Sequence, residues 1–308
     1  MSTLPRLYVV LGPTASGKSA LGIALAQRLG GEILVCDSTQ VYRHFDIGTG
    51  KVPFAEQHGI AHHLMDLLEP DAVFTAGEYR RRALEALADL RSRGRVPVIT
   101  AGTGLYLRAL LEGLADSPER SERFRERMRE IVAKRGPSRL HAILKRLDPE
   151  TAARIEPADT QKVIRAVELR LLAGKSVGEI HRSGREPLQG YEIVKIGLAP
   201  ERPALYARIH ARIDAMITAG WIDEVQHLIE SGVSDTAKPF QFIGYSQWRE
   251  YLRHRISRDE ALEQIRKATR HFAKRQQTWF RREQGVHWIG GFGDDPATIR
   301  AAEKFIAA

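Results

Sequence analysis

One cysteine, Cys36, is all that this 308-residue chain contains. That excludes an internal disulfide and a multi-cysteine zinc site, and a reducing cytoplasm is the expected compartment. No apolar run approaches the ~18 residues of a membrane span, so none is expected. The first strand pattern begins within a few residues of Met1, so no signal peptide is expected. Internal repeats and low-complexity tracts are also missing, which argues against a repeat architecture.

What is present is the composition of a soluble globular protein, 43% hydrophobic and 28% charged, with room for one large domain or two ordinary ones. Lys and Arg (47) outnumber Asp and Glu (38), for a net +9. That excess fits a polyanionic partner such as nucleic acid, or simply a basic surface.

Residues Gly12-Pro13-Thr14-Ala15-Ser16-Gly17-Lys18-Ser19 match the phosphate-loop pattern G-x-x-x-x-G-K-[ST] at every fixed position. The apolar run 7–11 precedes the motif and a helix-like run follows it, as strand, glycine turn and helix require. Backbone N–H groups there can wrap a diphosphate. Lys18 adds a positive charge, and Ser19 a hydroxyl for Mg²⁺. Many chemistries use this loop, so the reaction must be read elsewhere.

Strands are predicted at 7–11, 32–36 and 96–100, with helices at 17–29, 76–93 and 104–112. This is an α/β pattern, a parallel sheet with covered faces. From about 114 to 190 strand signals vanish, and helices are predicted at 118–135, 137–146, 149–155, 160–173 and 176–182, with Ser117 as a cap and Pro118 at the first helical position. A strand returns at 191–198, helices run to about 282, and 286–289 reads as an edge strand. The expected organisation is a phosphate-loop NTPase-like core from 1–113 and 191–308, interrupted by a helical insertion at 114–190.

Asp37 follows the second strand and so falls at a carboxyl end of the sheet, where ligands bind in such folds. It could hold Mg²⁺ through water, bind a hydroxyl, act as a general base, or merely cap a turn. After the third strand come Gly102, Thr103 and Gly104, with no acidic residue. That argues against nucleotide hydrolysis, which needs an acid there for Mg²⁺ and water. In 258–282, Leu262, Ile265, Thr269, Phe272, Gln276 and Trp279 form a mostly apolar helical stripe, and Arg266, Arg270, Lys274 and Arg281 occupy another face. Over 249–282, 11 basic residues face 4 acidic ones. This helix suits a nucleic-acid backbone, or is an ordinary solvated face. Arg212 carries no signal of its own. His62 and His63 have no third ligand spaced around them and read as structural.

Taken together, these segments resemble bacterial tRNA dimethylallyltransferases. The resemblance is carried by Gly12–Ser19, Asp37-Ser38-Thr39-Gln40-Val41-Tyr42, Asp46-Ile47-Gly48-Thr49-Gly50-Lys51, His62-His63-Leu64-Met65-Asp66, Gly102–Tyr106, Gln161–Glu168, Gly244-Tyr245 and Thr269–Trp279. It implies transfer of a dimethylallyl group from its diphosphate to N6 of the adenosine 3′-adjacent to the anticodon of tRNA. Asp37 resembles the general base, and Thr103 a residue that orients the base. Lys18, Ser19 and Arg212 would serve the diphosphate, with Mg²⁺ as cofactor. Ser38, Thr39, Gln40 and the segment Gln161-Lys162-Val163-Ile164-Arg165 would contact the tRNA near the target. Arg270, Lys274, Arg275 and Gln276 would hold the anticodon-loop backbone, while Gly244-Tyr245 would stack or pack. The insertion would meet the anticodon stem, and the resemblance suggests a monomer. Gln241 and Ser246 stand where some members carry basic residues. Two other readings remain: a small-molecule or nucleoside kinase, and an RNA-binding protein with a nucleotide switch.

Overall fold

The computed structural model describes residues 4–115, 120–182 and 185–307. It separates into two compact units, one from Met1–Leu111 with Leu188–Ala308 and one from Glu112–Pro187.

The first unit is built on six parallel strands: β1 (Arg6–Leu11), β2 (Glu32–Cys36), β3 (His62–His63), β4 (Pro97–Ala101), β5 (Glu192–Leu198) and β6 (Val286–Ile289). Their order is β3-β2-β4-β1-β5-β6. The two-residue period of β1 explains the layering. Leu7, Val9 and Leu11 enter one core, and Tyr8 and Val10 the other. Helices α1 (Lys18–Leu29), α2 (Ala76–Ser92) and α3 (Gly104–Leu111) follow β1, β3 and β4 respectively. The sequence reading missed β3, whose two residues pair with Ile33 and Leu34. His63 Nε2 meets Glu32 Oε2 at 2.7 Å and His62 Nδ1 meets the Ile60 carbonyl at 2.9 Å, so both histidines have structural partners.

The second unit contains α4 (Glu122–Arg135), α5 (Pro137–Leu147), α6 (Pro149–Ala152), α7 (Thr160–Leu172) and α8 (Val177–Arg182). Its own core includes Leu140, Leu144, Val163, Ile164 and Val167. The cap expected at Ser117 lies outside the described residues. The described helix starts later, with the Ser121 hydroxyl accepting from Phe124 N at 3.3 Å. Glu168 is fully buried here, accepting from Ser121 N (2.8 Å) and from Arg125 and Arg165.

The first unit resumes with α9 (Arg202–Thr218), α10 (Trp221–Glu230), α11 (Tyr245–Leu252), α12 (Arg258–Phe280) and, after β6, α13 (Pro296–Ala307). The side of α12 that is buried carries Ala261, Ile265, Ala273, Gln276 and Phe280. This is rotated from the expected stripe: Phe272 is only half-buried and borders a cleft instead. Among the described residues no helix is long and apolar enough to cross a membrane.

Candidate active site

The carboxyl ends of β1, β2 and β4 converge on a cleft of about 340 Å³ within the first unit. Its polar end is the phosphate loop. Gly17 caps α1 in the left-handed region (φ 86°), and a Cβ there would lie 2.6 Å from Gly293 N. Gly293 N donates to the Ser16 carbonyl at 2.8 Å, bracing the turn from outside. Lys18 Nζ donates across the loop to the Pro13 carbonyl at 2.8 Å.

Two cations border this end. Burial pushes Lys18 down to about 8; Asp37 opposes the shift and Arg212 adds to it. Burial likewise lowers Arg212, against Asp37 and with Arg208. Both cations are thus held away from water, with Asp37 as the carboxylate that favours their charged forms. Arg212 rides α9 with Ile209, Ile213 and Met216, residues whose spacing puts them on one helical face lining the cleft.

Asp37 leaves β2 into the same cleft. Its Oδ1 accepts from Thr39 N (2.9 Å) and Thr39 Oγ1 (2.7 Å). A Cβ on Gly102 would sit 2.3 Å from Asp37 Oδ2, so only glycine lets the turn after β4 approach the carboxylate. In that turn, Thr103 Oγ1 accepts from Ser38 N at 2.9 Å and donates to Ser38 Oγ at 3.2 Å.

Gln276 ties α12 to both loops. Its Oε1 accepts from Thr14 N (2.7 Å), and its Nε2 donates to the Gly102 carbonyl (2.8 Å). The segment 46–50 closes another side of the cleft. Asp46 N and Ile47 N donate to Glu224 Oε2 (3.0 and 2.8 Å), and Tyr245 OH donates to Glu224 Oε1 (2.6 Å) while accepting from Gly48 N (3.1 Å). Gln40 Nε2 donates to the Thr49 carbonyl at 3.1 Å.

The family profile described as IPP transferase matches residues 40–283 of this chain. The chain belongs to that family. It is 49% identical over 302 residues to a tRNA dimethylallyltransferase of Koribacter versatilis, covering 98% of each. The crystal structure of a full-length tRNA isopentenylpyrophosphate transferase from Bacillus halodurans matches with a TM-score of 0.71 and 36% identity, covering 98% of this chain and 95% of that one. A eukaryotic dimethylallyltransferase, captured in crystals acting on tRNA, matches with a TM-score of 0.82 and 25% identity, covering 98% of this chain and 80% of that one.

In this family member the cleft brings together Thr14, Lys18, Ser19, Asp37, Thr39, Gln40, Arg212 and Arg275. Several expected RNA contacts have other partners. Tyr245 is fully buried and engaged by Glu224 and Gly48, so it packs and cannot stack on a base. Gly244 is buried beneath the Trp221 ring. Gln276 is buried, with both ends of its amide used inside the protein. Val163 and Ile164 are core residues of the second unit. Arg270 meets His210 Nε2 at 2.7 Å and Glu263 at 3.8 Å. Lys274 and Arg275 are exposed, and line a shallow groove with Trp279 and Arg282. Gln161 and Lys162 are also exposed, with Lys162 Nζ paired to Asp159, and Arg165 pairs with Glu168. Gln241 is exposed at the cleft edge, and Ser246 Oγ donates to the Phe242 carbonyl at 3.3 Å.

Sequence reasoning missed Glu224 and Trp221. Neither lies in a motif, and each acts through contacts far away in the chain. The Gly48-Thr49-Gly50 spacing was the one available signal for the loop they hold.

Proposed function

We propose that this protein transfers a dimethylallyl group from dimethylallyl diphosphate to N6 of the adenosine 3′-adjacent to the anticodon in tRNA. The observation that carries this reading is a single cleft in which a diphosphate cradle, a carboxylate and an apolar wall meet. The start of α1 at Lys18 and Ser19 offers helix-end backbone donors, and Lys18 and Arg212 supply charge. Ile213, Met216 and Phe242 give the five-carbon group an apolar surround.

As the allylic C1–O bond breaks, its electron pair leaves with the diphosphate, and the N6 lone pair forms the new C–N bond. The N6 proton passes to Asp37. Negative charge grows on the leaving group, where the loop amides, Lys18 and Arg212 act on it. Thr103 and Ser38, hydrogen-bonded to each other beside Asp37, are assigned to orienting the target base. A base must leave its stack to reach such a site. Exposed Lys274 and Arg275, with Gln161 and Lys162 on the second unit, are assigned to the RNA backbone.

Mg²⁺ suits this donor set. Ser19 borders the cleft and presents a hydroxyl oxygen, the ligand type Mg²⁺ takes. Among the described residues no group of three or more His, Cys, Asp or Glu could hold a metal, so diphosphate oxygens and water would complete the shell. When bound, the ion would add charge stabilisation to the departing diphosphate.

The test uses purified protein, undermodified tRNA and labelled dimethylallyl diphosphate. Label appearing in tRNA, with the modified adenosine identified by nucleoside mass spectrometry, is the expected result. Absence of transfer, or phosphorylation from γ-labelled ATP instead, overturns the proposal.

A further inference from the structure

We infer that Trp221 is the stop that holds the transferred chain to a single five-carbon unit. This rests on the prenyl-transfer reading above and goes beyond it, because the bond chemistry is the same for any allylic diphosphate. C1–O breaks, N6–C1 forms, diphosphate leaves with the electron pair and the proton goes to Asp37, however long the chain behind C1. Only the shape of the cleft can discriminate.

Trp221 borders the cleft yet is only 2% exposed, so it is a wall rather than a flap. Its ring is fixed from several sides. Tyr245 and Trp248 pack edge-on at 5.9 and 6.2 Å between centroids. Gly48 and Gly244 approach the indole closely; a Cβ on Gly48 would lie 2.1 Å, and one on Gly244 1.9 Å, from ring atoms. Glu224, one turn along α10, pins the segment that carries Gly48.

The same loop gives a ruler. Gly48 touches Trp221, and Gly50 touches the Arg212 guanidinium, where a Cβ would lie 1.8 Å from Nη2. The two contact points are two residues apart, ~7 Å of chain at full extension. The end of the cleft that holds diphosphate and the indole wall are therefore near neighbours. In a cleft of about 340 Å³, a second isoprene unit that continues toward Trp221 meets packed rings. Interiors at crystal-like density do not yield cheaply to added carbon.

The experiment compares dimethylallyl with geranyl diphosphate on the wild-type protein and on Trp221→Phe and Trp221→Leu, with undermodified tRNA and mass spectrometry of the product. The wild type should favour the five-carbon donor in kcat/KM by at least ~10-fold, and each variant that melts as a folded protein should narrow that ratio by ~10-fold or more. Equal use of both donors by the wild type, or folded variants that keep its ratio, overturns the inference. If neither variant folds, competition on the wild type decides. A geranyl diphosphate inhibition constant at least ~10-fold above that of unreactive dimethylallyl thiodiphosphate supports the wall, and equal constants overturn it. If the wild type transfers nothing, the functional reading fails on its own. Binding of the same two diphosphates without tRNA then still tests the wall, with equal affinity overturning it.

Discussion

Asp37 is held by both donors of Thr39 and faced by a glycine that leaves its second oxygen accessible. Asp37→Ala is expected to slow transfer by ~10²–10⁴, the usual worth of a positioned base, with little change in tRNA binding. More than half of wild-type turnover in single-turnover kinetics would remove it from the chemistry. Lys18 makes a different prediction. Burial pushes its ammonium down to about 8, so in the free protein it loses its proton near that pH. A bound diphosphate favours the charged form and raises the pKa again. Affinity for inorganic diphosphate should therefore fall above pH 8, approaching about tenfold per pH unit until the raised pKa is passed. Calorimetry across pH 7–10 checks this against Lys18→Ala, in which that slope should be missing. At Arg212 the alanine variant should lose at least ~10-fold in transfer, and lysine should recover part of it, because a point charge cannot copy the guanidinium fork.

The helix α12 presents two sides with separate consequences. Phe280 is 1% exposed, so Phe280→Ala should destabilise the fold by ~3–5 kcal/mol in denaturant melts. Phe272 borders the cleft instead, so its alanine variant should change the kinetics more than the melting temperature. Lys274 is exposed in the basic groove. Lys274→Ala should weaken tRNA binding and reduce the log–log salt slope by roughly 0.7, as for one contact to a single-stranded phosphate. An unchanged slope with an intact fold would exclude a phosphate contact. The rotation between the expected and observed stripes has a plain cause. Apolar spacing reports which residues avoid water, and both a core and an apolar cleft satisfy that condition. Periodicity alone could not tell Ile265, in the core, from Phe272, at the cleft.

Across the whole molecule, the α/β core was legible because long Val-, Ile- and Leu-rich strands alternate with capped helices. The phosphate loop was legible because its glycines and lysine meet a local geometric need. The strand β3 was not, since two histidines show no period. Nor was α13, although Asp295 before Pro296 is a helix start, with Asp295 Oδ1 accepting from Ala297 N at 3.0 Å. Glu224 was invisible for another reason: its partners lie some 180 residues earlier, and no local pattern encodes that meeting. The second unit has its own core around Leu144, which is fully buried. Leu144→Ala should cost ~2–5 kcal/mol there and leave inorganic diphosphate affinity unchanged, a pairing that melts and calorimetry can check together.

Gln276 joins these scales. One amide grips the phosphate-loop motif at Thr14 and the turn beside Asp37 at Gly102, and it sits on the helix that carries Lys274 and Arg275. A load placed on the basic side of that helix would thus reach the phosphate loop through one hydrogen bond and the turn beside Asp37 through another. Thermodynamic reciprocity then applies: whatever factor RNA exerts on diphosphate affinity along this route, diphosphate exerts on RNA affinity. The order in which the two proposed substrates arrive would then be a matter of rates and concentrations, and Gln276 is one side chain, beside Phe272 and Arg275 at the cleft, through which their mutual effect at equilibrium would pass.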